Sequence, residues 1–257
     1  VVSNQNSKII NFPENREDYG KKISTTTINN YIRNIKVFYN YLYENRYIMT
    51  NPVARIKEIK CARKVVGFIG DENFNRLLKA FDLSKFHEYR DYVVAQLIFD
   101  TGMRLGETLA IEETDIDFIR RTILLRAEIT KGKKDRYVFF SEEMSKVLRR
   151  WIHYKDRYRQ SPYVFCTNKG KALKVNNYET NLKKYGGRVG LSDIHPHMLR
   201  NNFAKRFLMQ GGDIYTLSRI LGHSSVKVTE EAYLDLDEND LRINYQRYSP
   251  LANLKRG

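Results

Sequence analysis

Apolar positions fall into a regular period soon after Ser24. That serine can cap a helix in which Ile28, Tyr31, Ile32, Ile35, Phe38, Tyr39 and Leu42 recur at helical spacing. The residues before it are polar and without clear period, and read as a tail, a linker or part of a larger unit. Asn51-Pro52 breaks the helix. A domain boundary is expected near Val66, dividing the chain into 1–66 and 67–257. Beyond it Asp71 is placed as the cap of a helix carrying Leu77, Leu78 and Phe81. A second helix is predicted from about Tyr89 to Thr101, with Val93, Val94, Leu97 and Ile98 inward and Gly102 as its stop. A short helix follows, with Leu109 and Ile111 apolar.

The period then shortens. Between 115 and 140, Ile116, Phe118, Ile123, Leu125, Tyr137, Val138 and Phe139 are strand formers, interrupted by the basic turn Thr130–Arg136. A small antiparallel sheet with a cationic hairpin is expected. Helical spacing returns over about 141–158, 175–186, 196–210, 213–221, 226–234 and 238–247. Pro196 suits the first position of its helix, Leu199, Phe203 and Phe207 form its apolar stripe, and Gly211-Gly212 end it. The predicted fold is mainly α with a small antiparallel β-sheet.

Charge narrows the partners. The 257 residues carry a formal net charge of +15. Residues 1–66 hold 12 Lys and Arg against 5 Asp and Glu, or +7, while the far longer remainder holds +8. Such an excess favours a polyanion, and its concentration in Arg55, Lys57, Lys60, Arg63 and Lys64 suits a clamp on a phosphate backbone as well as a solvated linker. No apolar run is long enough to span a bilayer and no signal-peptide pattern opens the chain, so no membrane partner and a cytoplasmic location are expected. Cys61 and Cys166 are too few and too distant for a disulfide or metal framework, and read as free thiols. The chain begins with Val1 rather than Met, which fits a fragment or a processed form.

Several residues could carry chemistry. His197 and Arg200 share a helix face near a helix start, where unpaired N–H groups favour an anion; a capped core helix with two surface cations is the rival reading. Arg104 follows Gly102 at a helix junction, with a planar fork suited to phosphate and Glu107 one turn on to hold it; a plain surface ion pair explains them equally well. Lys131 lies in the basic turn and could donate a proton into a cleft, with Lys133 and Lys134 as rivals. His223 leaves a helix stopped by Gly222. Tyr233 ends the next helix, and its hydroxyl, with a pKa near 10, needs help to attack. No His-Glu-x-x-His pattern or Cys/His cluster supports a metal.

Taken together, Thr101–Glu107, Pro196–Arg200 and Leu221-Gly222-His223 followed by Tyr233 resemble the three boxes of the tyrosine recombinases, the phage integrase and Xer-type proteins. The resemblance covers about 67–245, and residues 24–66 look like the last part of that family's helical core-binding domain. It implies a partial core-binding domain followed by a catalytic domain. By the same resemblance, Arg104 and Arg200 would hold a scissile DNA phosphate, with His197 and His223 bonding to it and assisting proton transfer. Lys131 would protonate the leaving 5′ oxygen, Tyr233 would be the nucleophile, and Glu107 would support Arg104. Double-stranded DNA is the implied partner, with a homo-oligomer, four protomers on two paired sites, accessory proteins, and no cofactor.

The chain departs from the family pattern in places. Asn201 stands where many relatives have histidine. Tyr233 lies ten residues after His223 where many have nine, a spacing shared with integrases of mobile elements. Tyr245 and Tyr248 lie too far along to fit the box. The tail Asp237–Gly257, with Leu241 and Ile243, would dock on a neighbouring protomer or pack on its own domain. The competing functions are a DNA-binding module without chemistry, which does not need all six site residues, and a type IB topoisomerase, which shares the chemistry but acts as a monomer.

Overall fold

The computed structural model describes residues 23–60, 67–130, 132–223 and 225–233, together with Arg242, Tyr245 and Gln246; for 231–233 only the helical backbone is described. Contacts divide the chain into two units, Val1–Lys64 and Val65–Gly257.

In the first unit, α1 spans Thr25–Glu44. Ser24 caps it as the sequence predicts, its Oγ accepting the Thr27 N–H at 3.2 Å. The apolar stripe is only half covered: Ile28, Ile32, Tyr39 and Leu42 are half-buried, while Tyr31, Ile35 and Phe38 are exposed. Among the described residues of this unit there is no second helix to cover that face. Asn29, which is buried, bonds the backbone N–H and C=O of Ile59, both at 2.9 Å, and Glu58 accepts two hydrogen bonds from Arg33. The basic stretch Arg55–Lys60 is thereby laid along α1.

The second unit holds α2 (Asp71–Lys79), α3 (Phe86–Thr101), α4 (Leu105–Ala110), a short 3-10 turn at Glu113–Asp115 and the strands β1 (Ile116–Asp117), β2 (Thr122–Leu125) and β3 (Arg136–Phe139). Then come α5 (Glu142–Tyr158), α6 (Val175–Arg188), α7 (Pro196–Met209), α8 (Ile214–Leu221) and α9 (Val226–Tyr233). The sheet is antiparallel in the order β1-β2-β3, with Ile123 paired to Val138 and Leu125 to Arg136. Ile123, Leu125 and Val138 are buried, and Tyr137 and Phe139 point outward at 59% exposure each, as strand alternation requires.

Two predicted starts shift. Gly70 takes the cap position of α2 at φ 72°, so Asp71 is the first helical residue and not its cap. The third helix begins at Phe86, three residues before Tyr89. Its first turns hide their period because polar groups lie on the buried side. Buried Glu88 is paired with Arg188, and buried Asp91 accepts from Arg90, Asn181 and Tyr185. This helix is the centre of the core: Val93, Val94, Ala95, Leu97 and Ile98 have no exposed surface. Around it pack α5, through Trp151, and α7, through Leu199. Cys166 is a buried free thiol; Cys61 lies outside the described residues. The predicted tail helix also lies outside them, apart from helical backbone at Arg242, Tyr245 and Gln246.

Candidate active site

Two glycines bring distant segments together. Gly102 ends α3 at φ 68°, and a Cβ there would come within 2.4 Å of the Phe203 ring. Only glycine allows the chain to turn this close to α7 and lead into Arg104 at the head of α4. Gly222 ends α8 at φ 64°, and the His223 N–H donates to the Ser218 carbonyl at 3.1 Å. This closure turns His223 back along the helix end.

The last carbonyls of α8 have no partner within the helix. Three arginines from three other elements take them in succession. Arg136 Nε donates to the Ile220 carbonyl at 3.3 Å, Arg200 Nη2 to Leu221 at 2.9 Å, and Arg104 Nη2 to Gly222 at 3.1 Å. Cations also suit the negative end of the helix dipole. Arg200, which is buried, further donates through Nη1 to the Gly102 carbonyl at 2.6 Å. Both ends of the frame are therefore fixed by the same guanidinium.

Glu107 is the acidic centre of the cluster and is only 2% exposed. It accepts from the backbone N–H of Arg104 at 3.0 Å and from Arg104 Nη1 at 2.9 Å. It also accepts from both terminal nitrogens of Arg136, at 3.0 and 2.6 Å. Burial opposes ionisation, but the hydrogen bonds and charge of Arg136, and then those of Arg104, outweigh it and hold the carboxyl below its ordinary value.

Arg200 Nη2 lies 3.0 Å from His223 Nε2, and the other ring nitrogen lies 2.8 Å from the hydroxyl of Thr229, which is fully buried. An arginine can only donate, so Nε2 accepts, Nδ1 carries the proton and Thr229 accepts it. Burial, followed by the positive charge of Arg200, lowers the His223 pKa to about 4. Desolvation and then Arg200 lower that of His197 as well. Arg104, His195, His197 and Arg200 line a cavity of about 300 Å³ with Met103, Leu105, Pro196 and Glu179. Its wall presents two arginines and two histidines against one carboxylate, an arrangement that attracts an anion.

Of the residues singled out from sequence, Arg104, Glu107, His197, Arg200 and His223 come together here. The surface ion-pair reading fails for Arg104 and Glu107, since the carboxylate is buried. Tyr233 ends α9, the helix that carries Thr229. Lys131, Arg63 and Lys64 lie outside the described residues. Lys133 and Lys134 are exposed on the β2–β3 hairpin, and Arg55, Lys57 and Lys60 are exposed in the first unit. The hairpin is held by Thr130, whose hydroxyl accepts the Lys134 N–H at 3.2 Å, and by Asp135, which accepts the Ala127 N–H at 2.6 Å.

Sequence reasoning missed Arg136 and Thr229. A signal existed for the first: Arg136 is in phase with buried Val138 on β3, and an arginine on the inward face needs a buried partner. Thr229 lies three residues after Val226 along α9, the only hint of its inward position. Among the described residues there is no His, Cys, Asp and Glu grouping that could hold a metal ion, and no helix is long and apolar enough to cross a membrane.

Comparison with known proteins agrees with this architecture. The phage integrase family model matches residues 68–240. The tyrosine recombinase XerC of Pediococcus pentosaceus is 29% identical over 240 residues, covering 90% of this chain and 78% of that protein. The crystal structure of XerA recombinase superposes with a TM-score of 0.62 at 26% identity, over 96% of this chain and 81% of the other. XerH site-specific recombinase, bound to a palindromic difH substrate in a post-cleavage complex, gives a TM-score of 0.72 at 22% identity, over 89% and 69%. The chain belongs to the phage integrase family. It is a tyrosine recombinase, an enzyme that breaks and rejoins DNA strands at specific sites, and the binding-only and topoisomerase readings are set aside.

Proposed function

We propose that the cavity lined by Arg104, His197 and Arg200 receives the scissile DNA phosphate and that Tyr233 attacks it. The observation that carries this reading is the convergence of Arg104, Arg200 and His223 on the end of α8, immediately before the helix that Tyr233 closes. The tyrosine oxygen forms a bond to phosphorus and the bond to the 5′ oxygen breaks. The tyrosine proton passes toward a neutral imidazole, His223 or His197, and the departing oxygen takes a proton from Lys131. Negative charge grows on the non-bridging oxygens in the transition state, so fixed guanidiniums stabilise it more than the ground state. The 3′-phosphotyrosine keeps the energy of the broken bond, and a 5′ hydroxyl from another strand reverses the step.

Residues 1–66 act in this reading as part of a clamp on double-stranded DNA, with Arg55, Lys57, Lys60, Arg63 and Lys64 on the phosphate backbone and Lys133 and Lys134 on the hairpin side. Four protomers pair two sites, the C-terminal tail links neighbours, and accessory proteins assist. The ten-residue spacing from His223 to Tyr233 favours a mobile element, acted on in the cytoplasm.

The test is a nicked duplex that traps the covalent intermediate. The wild type is expected to form a DNA adduct on a denaturing gel, and Tyr233→Phe none. An adduct that persists in the mutant would move the nucleophile to Tyr245 or Tyr248. Tight binding with no adduct in the wild type would reject the assignment of chemistry to this site.

A further inference from the structure

Arg136 has no place in the reaction just described, yet its side chain makes three hydrogen bonds with the cluster where that of Arg104 makes two. Its fork spans both oxygens of buried Glu107, and its Nε reaches the Ile220 carbonyl. It starts β3, the strand that leaves the basic hairpin, and its guanidinium also forms the wall against Gly222: a Cβ on that glycine would sit 2.8 Å from Arg136 Cζ. The residue therefore touches the supports of both Arg104 and His223.

One carboxylate stands between two guanidiniums. With Arg104 alone, Glu107 would balance its charge, and a neutralised arginine attracts a phosphate weakly. With Arg136 present the three groups carry a net positive charge. Arg136 spends its donors on Glu107 and Ile220 and is 13% exposed, whereas Arg104 is 26% exposed, lines the cavity, and uses two nitrogens on Glu107 and Gly222.

Resting on the reading above, we infer that Arg136 is a positioning residue of the strand-cleavage reaction. It takes up the charge of Glu107 and braces the turn before His223, so that Arg104 meets the DNA phosphate as an unneutralised cation.

The test uses the full chain and a nicked duplex whose sequence is drawn from a randomised pool by covalent capture on the wild type. Two versions are made, one with the ordinary scissile phosphate and one with a methylphosphonate, which lacks the anionic oxygen that Arg104 would face. Arg136→Met is expected to bind within about threefold of the wild type but to form adduct about tenfold or more slowly on the phosphate. On the methylphosphonate the gap closes to within about threefold, because a neutral centre needs the cation less. Arg136→Lys keeps the charge without the fork and falls between; it carries the same comparison if the methionine variant does not fold. An equal deficit on both duplexes, or no deficit on either, overturns the proposal. If the wild type captures no duplex, the assignment of Tyr233 fails first, a result distinct from any variant-specific one.

Discussion

Glu107 holds Arg104 at both ends, accepting its backbone N–H at 3.0 Å through Oε2 and its Nη1 at 2.9 Å through Oε1. The first bond fixes where α4 begins, and the second fixes which way its leading side chain points. A helix start and an anion-binding group are set by one carboxylate.

Replacing that carboxylate separates the two roles of charge and shape. Glu107→Gln keeps the volume but leaves Arg104 and Arg136 facing each other without a counter-ion. Removing one partner of a buried pair costs on the order of 3–5 kcal/mol. The urea midpoint is expected to fall accordingly, and adduct formation to slow about 10- to 100-fold. An unchanged midpoint would show that the arginines find another partner.

Gly102→Ala tests the approach of α3 to α7. The residue sits at φ 68°, and the new methyl would meet Phe203 Cδ1 at 2.4 Å. Strain of about 1–3 kcal/mol is expected, with Arg104 displaced at the same time. The thermal midpoint and the adduct rate should fall together. A loss of stability with full activity would detach this turn from the site.

Thr229→Val removes the acceptor that holds the His223 proton, with little change in volume. The lost bond is worth about 1–2 kcal/mol, and the ring becomes able to turn or change tautomer. Slower cleavage with unchanged DNA affinity is expected, and Thr229→Ser should restore the rate. A wild-type rate in the valine variant would show that Arg200 alone orients the ring.

The two histidines give the protein an acid limit. His223 titrates at about 4 when folded against an ordinary 6.5, because burial and then Arg200 disfavour its charged form. The unfolded chain therefore takes up a proton as pH falls below 6.5, while the folded chain does so only near 4. The contribution is complete above 6.5 and lost across that window, on the order of 3 kcal/mol. His197, lowered for the same first reason, adds in the same direction. Thermal midpoints measured from neutral pH down through this range should fall more steeply in the wild type than in His223→Gln. Parallel curves would mean that the ring is not held neutral.

Lys133 and Lys134 are expected to act on the DNA backbone alone. Changing both to alanine should reduce the slope of log affinity against log salt by up to about 2 and weaken all duplexes alike. A change in sequence preference with an unchanged slope would place them on bases.

The helices were legible wherever one apolar face alternates with water. The period of α7 and the stops at Gly102 and Gly222 gave their boundaries to within a residue or two. The start of α3 was not legible, because Glu88 and Asp91 are buried against partners about a hundred residues away that no local pattern reveals. The site divides in the same way. Arg104, His197, Arg200 and His223 stand beside glycine or proline landmarks that mark turns. Arg136 stands in a basic run where one lysine or arginine looks like another, and only its register opposite Leu125 distinguishes it.

The three arginines are received by the main-chain oxygens of Ile220, Leu221 and Gly222, with a fourth oxygen from Gly102. A carbonyl is the same whatever side chain accompanies it. The acceptors at Ile220 and Leu221 are therefore inherited with the path of the backbone, whereas Gly102, Gly222 and the Glu107 carboxylate are fixed as residues. In a saturation scan, the arginines should tolerate almost nothing, while Ile220 should accept any residue that fits its packing. Related chains could thus drift far apart along α8 and still present the same cradle.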